Sequence, residues 1–209
     1  MNMLERSILN RPRGGREIIV KMISDWLNEN TIIVGTHTID DQYNINVEGT
    51  VVIINKKIRE FPSYIKFNRV SSHFNCNNCT ELSSLKGAPR EVGGDFICSW
   101  TNFTSLEGAP EKVGRDFECW DCCQLQSLEG APREVGGDFN CSGCKSLQSL
   151  KGTPKEIEGS FNCTSCKSLY SLEGCPKKVG GYFKCIDCGR QFSIDEVKVL
   201  CKGEGDYIG

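Results

Sequence analysis

The residues in this chain best suited to chemistry are its fourteen cysteines. Most fall in C-x-x-C pairs: Cys76 with Cys79, Cys119 with Cys122, Cys141 with Cys144, Cys163 with Cys166 and Cys185 with Cys188. Such pairs serve as zinc ligands, redox couples or disulfide partners. Eighteen residues separate Cys122 from Cys141, Cys144 from Cys163 and Cys166 from Cys185. That spacing suits a four-cysteine zinc site, and Cys185-Ile186-Asp187-Cys188-Gly189 is the most knuckle-like segment. Two positions argue against metal. Thr101 stands where Cys98 should have its partner, and Lys56 stands at the corresponding upstream position. A redox pair would need a helix N-terminus or a basic neighbour to lower a thiol pKa. The expectation is therefore that the cysteines are reduced, metal-free core residues that fill space as small hydrophobes.

The cysteines belong to a repeat. Phenylalanines at 74, 96, 117, 139, 161 and 183 recur at intervals of 21 or 22 residues, each followed two residues later by a cysteine. The unit reads V-x-x-x-F-x-C-x-x-C-x-x-L-x-x-L-x-G-x-P. F-x-C places two apolar side chains on one face of a short strand, and Gly-x-Pro turns the chain. One unit cannot bury its apolar face alone, so the units must stack as a solenoid. Val47, Val51 and Ile53 continue the pattern upstream in degraded form. Ile53 at the first-cysteine position marks that position as buried and apolar.

F-x-C-x-x-C-x-x-L resembles the leucine-rich repeat pattern L-x-L-x-x-N/C-x-L, and the unit with "SLEGAPREVGGDF" is similar to the leucine-rich repeat proteins encoded by tailed bacteriophages. In this alignment the second cysteine takes the place of the family's ladder asparagine. The resemblance implies an α/β solenoid: a leucine-rich-repeat-like parallel stack of about 22-residue coils with an N-terminal cap helix and a short C-terminal helical cap. The expected division is an N-terminal arm and cap helix over 1–46, the solenoid over 47–192 and a C-terminal cap over 193–209. Arg16 to Asn28 reads as the cap helix, with Ile18, Ile19, Met22, Ile23, Trp26 and Leu27 on one face. Ser193 and Glu196 have capping-box spacing before a short closing helix.

A net charge of -2 does not suggest a nucleic-acid binder. Four arginines (Arg6, Arg11, Arg13, Arg16) precede no apolar run long enough for a signal peptide or a membrane span, so a cytoplasmic location is expected. His37 and His73, the two histidines, lie outside any catalytic spacing, and no enzyme activity, cofactor or metal is expected. Function should then lie on the outward strand face, whose columns are mostly small and polar. Asn140 in such a column is expected to be dispensable. Ile97, Trp100 and Trp120 break the rule, with Asp95, Asp116, Glu118 and Asp121 nearby. These seven residues form the candidate partner-binding patch, since tryptophan is enriched at interface hot spots.

The resemblance to phage proteins implies a non-enzymatic module that binds and inhibits a host protein, for instance a defence factor, in the host cytoplasm. A phage structural or assembly protein is the alternative, followed by a zinc-dependent nucleic-acid binder.

Overall fold

Each F-x-C segment forms a two-residue strand with phenylalanine inward, and the stacked strands hydrogen-bond in parallel. The computed structural model describes residues 14–201 and the backbone of 207–208. Arg6, Arg11, Arg13 and the rest of 1–13, with 202–206 and 209 of the expected C-terminal cap, lie outside the described residues. The order is α1 (Gly15–Asn30), β1 (Thr31–Ile39), β2 (Ile45–Ile53), β3 (Phe67–Val70), then paired short strands β4 to β14, α2 (Ile194–Leu200) and β15 (Tyr207–Ile208). The result is a parallel β-solenoid of about 22-residue coils with a helix at each end. Among the described residues, helix is confined to those two caps.

Each regular coil contributes two strands. One contains the valine position: β5 (Glu91–Val92), β7 (Lys112–Val113), β9 (Glu134–Val135), β11 (Glu156–Ile157) and β13 (Lys178–Val179). The other begins at the phenylalanine: β4 (Phe74–Asn75), β6 (Phe96–Ile97), β8 (Phe117–Glu118), β10 (Phe139–Asn140), β12 (Phe161–Asn162) and β14 (Phe183–Lys184). Strand β2 joins the two series, pairing with β3 through Ile45–Val47 and with β4 through Val51–Val52. Val47 faces Val70 and Val51 faces Phe74, so the upstream coil is in register with the others.

The core is a set of columns. The six repeat phenylalanines are buried, with neighbouring ring centroids 5.0–5.6 Å apart. The first-cysteine column beside them is fully buried from Cys76 to Cys163, and Ile53 begins it. The second cysteines do more than fill space. The Cys122 thiol donates to Cys98 O at 3.4 Å, Cys144 to Cys119 O at 3.2 Å, Cys166 to Cys141 O at 3.3 Å and Cys188 to Cys163 O at 3.2 Å. Each thiol thus caps a carbonyl of the preceding coil through a weak S–H donor. The two residues that break the cysteine column bond instead to the first-column carbonyl of their own coil, three residues back. Thr101 Oγ1 donates to Cys98 O at 2.7 Å, and Lys56 Nζ donates to Ile53 O at 3.0 Å.

The valine-strand sheet is broken between β9 and β11, and the sequence gives the reason. The residue after the valine is Gly93, Gly114, Gly136 and Gly180 in the other regular coils, where a Cβ would lie 2.1–2.4 Å from a carbonyl oxygen of the preceding coil. Glu158 occupies that position in the broken coil, and its backbone lies farther from the preceding coil. The Glu158 N–H reaches Val135 O only at 3.5 Å, against 3.0 Å for Gly136 N–H to Val113 O.

The N-terminal end is closed by α1, two residues longer than expected at its C-terminus. Ile19, Ile23, Trp26 and Leu27 are buried, with Trp26 edge-on to Phe61 at 5.9 Å. Ile18, expected on this face, lies at the margin of the apolar stripe and is 39% exposed. At the other end the Ser193–Glu196 capping box forms as the spacing indicates. No described helix is long and apolar enough to cross a membrane.

Candidate interaction surface

The outward face is organised by three side-chain ladders, and the candidate residues are best understood by how they fit or interrupt them. In the column before phenylalanine, each side chain accepts the N–H of its counterpart in the next coil. His73 Nδ1 accepts from Asp95 N at 3.0 Å, Asp95 Oδ1 from Asp116 N at 3.2 Å, Asp116 Oδ1 from Asp138 N at 2.8 Å and Asp138 Oδ1 from Ser160 N at 2.7 Å. Asp95 also lies 3.6 Å from the Arg115 guanidinium. Two of the acids assigned to the patch therefore hold consecutive coils in register, using one oxygen each. His73 has the same structural role, while His37 is exposed on β1.

In the column after phenylalanine, asparagine stabilises its own coil. Asn75, Asn140 and Asn162 each accept the N–H two residues on, at 2.8, 3.1 and 3.0 Å. Such Asx turns favour asparagine over other residues. This corrects the expectation that Asn140 is dispensable. Ile97 and Glu118 replace asparagine in the second and third coils and cannot make this bond in the same way. Trp120 N–H instead donates to Ser99 Oγ at 3.2 Å, and Ser99 is fully buried where a solvated column was expected.

The third column lies one residue before the second cysteine and is left-handed in every coil: Asn78, Trp100, Asp121, Gly143, Ser165 and Asp187 have φ between 52° and 71°. Asparagine, aspartate and glycine tolerate this conformation, whereas a bulky side chain there is an outlier. Trp100 is that outlier. Its ring is 48% exposed and meets Trp120 edge to face, with centroids 5.6 Å apart and planes at 81°. Trp120 itself is half-buried rather than fully outward. Asp121 leans toward the next coil, where its Oδ1 would lie 2.2 Å from any Cβ added at Gly143.

Between Ile97 and Asn140 on the paired strands sits Glu118, half-buried, accepting from Asn140 Nδ2 at 3.0 Å. Burial first, then the charges of Asp116, Asp138 and Asp95, push its carboxyl up to about 7, against the lowering effect of the Asn140 bond. A carboxyl raised in the folded state is opposed when it ionises, so stability is lost as pH rises from the ordinary glutamate value of about 4.3 towards 7. Glu118→Gln keeps an oxygen for Asn140 and removes the charge. It is expected to raise the melting temperature near pH 8 and leave it almost unchanged near pH 4, measured as paired thermal melts. Equal shifts at both pH values would contradict this assignment.

The structure thus brings Trp100 and Trp120 into contact and places Ile97 and Glu118 opposite each other, with Asp95 and Asp116 engaged in the inter-coil ladder. Among the described residues, no three histidine, cysteine, aspartate or glutamate side chains are arranged to hold a metal ion. Comparison with known proteins finds no matching family model, curated protein or solved structure.

Proposed function

We propose that this chain is a non-enzymatic protein-binding module whose contact surface is centred on Trp100 and Trp120. One observation carries the reading: the second and third coils give up the repeat's own stabilising residues where they expose large apolar ones. Asn is replaced by Ile97 and Glu118, and a small left-handed residue by Trp100. Departures from local structural rules concentrate at functional sites, where strain is retained for a purpose other than folding. A partly exposed tryptophan pair flanked by polar groups has the composition of an interface hot spot. The resemblance to phage repeat proteins supports a host protein, such as a defence factor, as the partner inhibited in an infected bacterial cell.

The test separates binding from folding. Trp100→Gly installs the residue that Gly143 supplies in a sister coil, removing left-handed strain of about 1 kcal/mol. It is expected to raise or preserve the melting temperature while weakening the captured partner at least tenfold. Trp120→Ala should weaken binding by about 2 kcal/mol or more. Capture from infected cells with wild type, both variants and Lys145→Ala, an exposed control position in the fourth coil, compared with their melting curves, decides the matter. Partner retention unaffected by either tryptophan variant would remove the strand face as the contact surface.

A further inference from the structure

Strand β1 is the outermost strand at the N-terminal end of the sheet, and among the described strands it pairs only with β2. Every second residue of such a strand turns its N–H and C=O away from the sheet. Its sequence, TIIVGTHTI, has no lysine, arginine, aspartate, glutamate or proline, the residues that ordinarily blunt an exposed edge. Ile32 and Val34 point outward and are 51% and 63% exposed.

The strand is not straight, and its bend restricts what can pair with it. β2 passes from the valine series to the phenylalanine series at Gly49, and β1 follows the same corner with Gly35 directly opposite. Both glycines have positive φ, 131° and 141°. A Cβ on Gly35 would lie 2.1 Å from Glu48 O, and one on Gly49 would lie 1.9 Å from Val34 O. Each Cβ would meet the facing strand, so the β1–β2 pair turns this corner with glycine on both strands, and a further strand must follow the same bend.

We propose that β1 pairs antiparallel with β1 of a second copy of this chain, with Gly35 opposite the partner's Gly35. A second copy supplies an extended strand bent at the required place, with glycine at the bend. A two-fold axis through that corner makes both bends coincide. In this register Val34 faces the partner's Thr36 and Ile32 faces the partner's Thr38, so β-branched residues meet without like charges. Nine uncharged residues pair with their own kind at no electrostatic penalty. The dimer also places two Trp100–Trp120 surfaces on one continuous sheet, on the order of 40 Å apart at ordinary strand spacing. Its existence does not depend on those surfaces binding anything.

Sedimentation velocity over a concentration series is expected to show a reversible dimer for wild type. The double variant Val34→Lys with Thr36→Lys sets lysine against lysine twice across the new pairing and should sediment as a monomer with an unchanged melting temperature. Val199→Lys, at a 77% exposed position of α2, should remain dimeric. A wild type that is monomeric throughout, or a double-lysine variant that still dimerises, overturns the proposal. In either case Trp100-dependent partner capture can be scored separately.

Discussion

Raising the pH from about 8 to about 10 under reducing conditions is expected to unfold this protein cooperatively. Ten thiols are held above the ordinary cysteine range: Cys76, Cys79, Cys98, Cys119, Cys122, Cys141, Cys144, Cys163, Cys175 and Cys185. Burial is the first cause for eight of them, while a bond to a neighbouring thiol comes first for Cys144 and Cys163. Cys119 and Cys185 are each pushed up to about 12.

The sign follows from which state can release its protons. An unfolded thiol ionises near pH 8.5, whereas these folded thiols are held above that, and all but Cys79 and Cys175 well above it. The native state then binds more protons, so stability is full below about 8.5 and falls as pH rises towards the folded values. Each thiol contributes about 1.4 kcal/mol of loss per pH unit in that window. The losses of the most deeply buried thiols add, so a few of them together approach the roughly 5–15 kcal/mol that ordinarily holds a domain together. Circular dichroism against pH, with proton release followed in parallel, checks this. A protein folded at pH 10 in excess reductant, with its thiols unreactive, would show that the unfolded reference is wrong. A transition releasing one or two protons would show that the thiols do not act together.

The repeat was legible because a solenoid writes its core directly into sequence periodicity. Phe74 to Phe183 and the leucines beyond them announce which side chains are buried, and Ile53 announces the same for the first-cysteine column. Features that depend on the offset between coils were not legible. Asp95 and Asp116 read as outward acids, but whether each Oδ1 meets an N–H of the next coil depends on how far one coil slides past another. Ser99 reads as solvated for the same reason, because its neighbour in space is Trp120 of the following coil. Strand β1 went unseen because TIIVGTHTI lacks the repeat signature. Its alternation with the Asp40–Asn44 turn would have supported a hairpin. The contact between Trp100 and Trp120 needed both the register and the left-handed backbone at Trp100, although the residue types alone singled out the pair.

Replacing Phe139 by alanine should be the most damaging single truncation of the regular coils, and Asn140→Ala beside it makes the informative comparison. Phe139 is fully buried between Phe117 and Phe161, at centroid distances of 5.0 and 5.6 Å. Its loss opens a cavity that rigid coils on both sides cannot close, which for buried aromatics costs about 3–5 kcal/mol. Asn140 faces outward, and periodicity alone would make its removal silent. The structure instead gives it two tasks, accepting the Ser142 N–H and donating to Glu118. Alanine there should cost about 1 kcal/mol from the lost hydrogen bonding. Because the Asn140 bond lowers the Glu118 pKa, its removal should also move the Glu118 titration to higher pH. Urea titrations at two pH values, with NMR titration of the Glu118 carboxyl, read both effects. Equal losses for the two variants would place the phenylalanine outside the core. A silent Asn140→Ala with an unmoved Glu118 would mean that the asparagine column is solvated and unengaged, and that coils two and three depart from nothing.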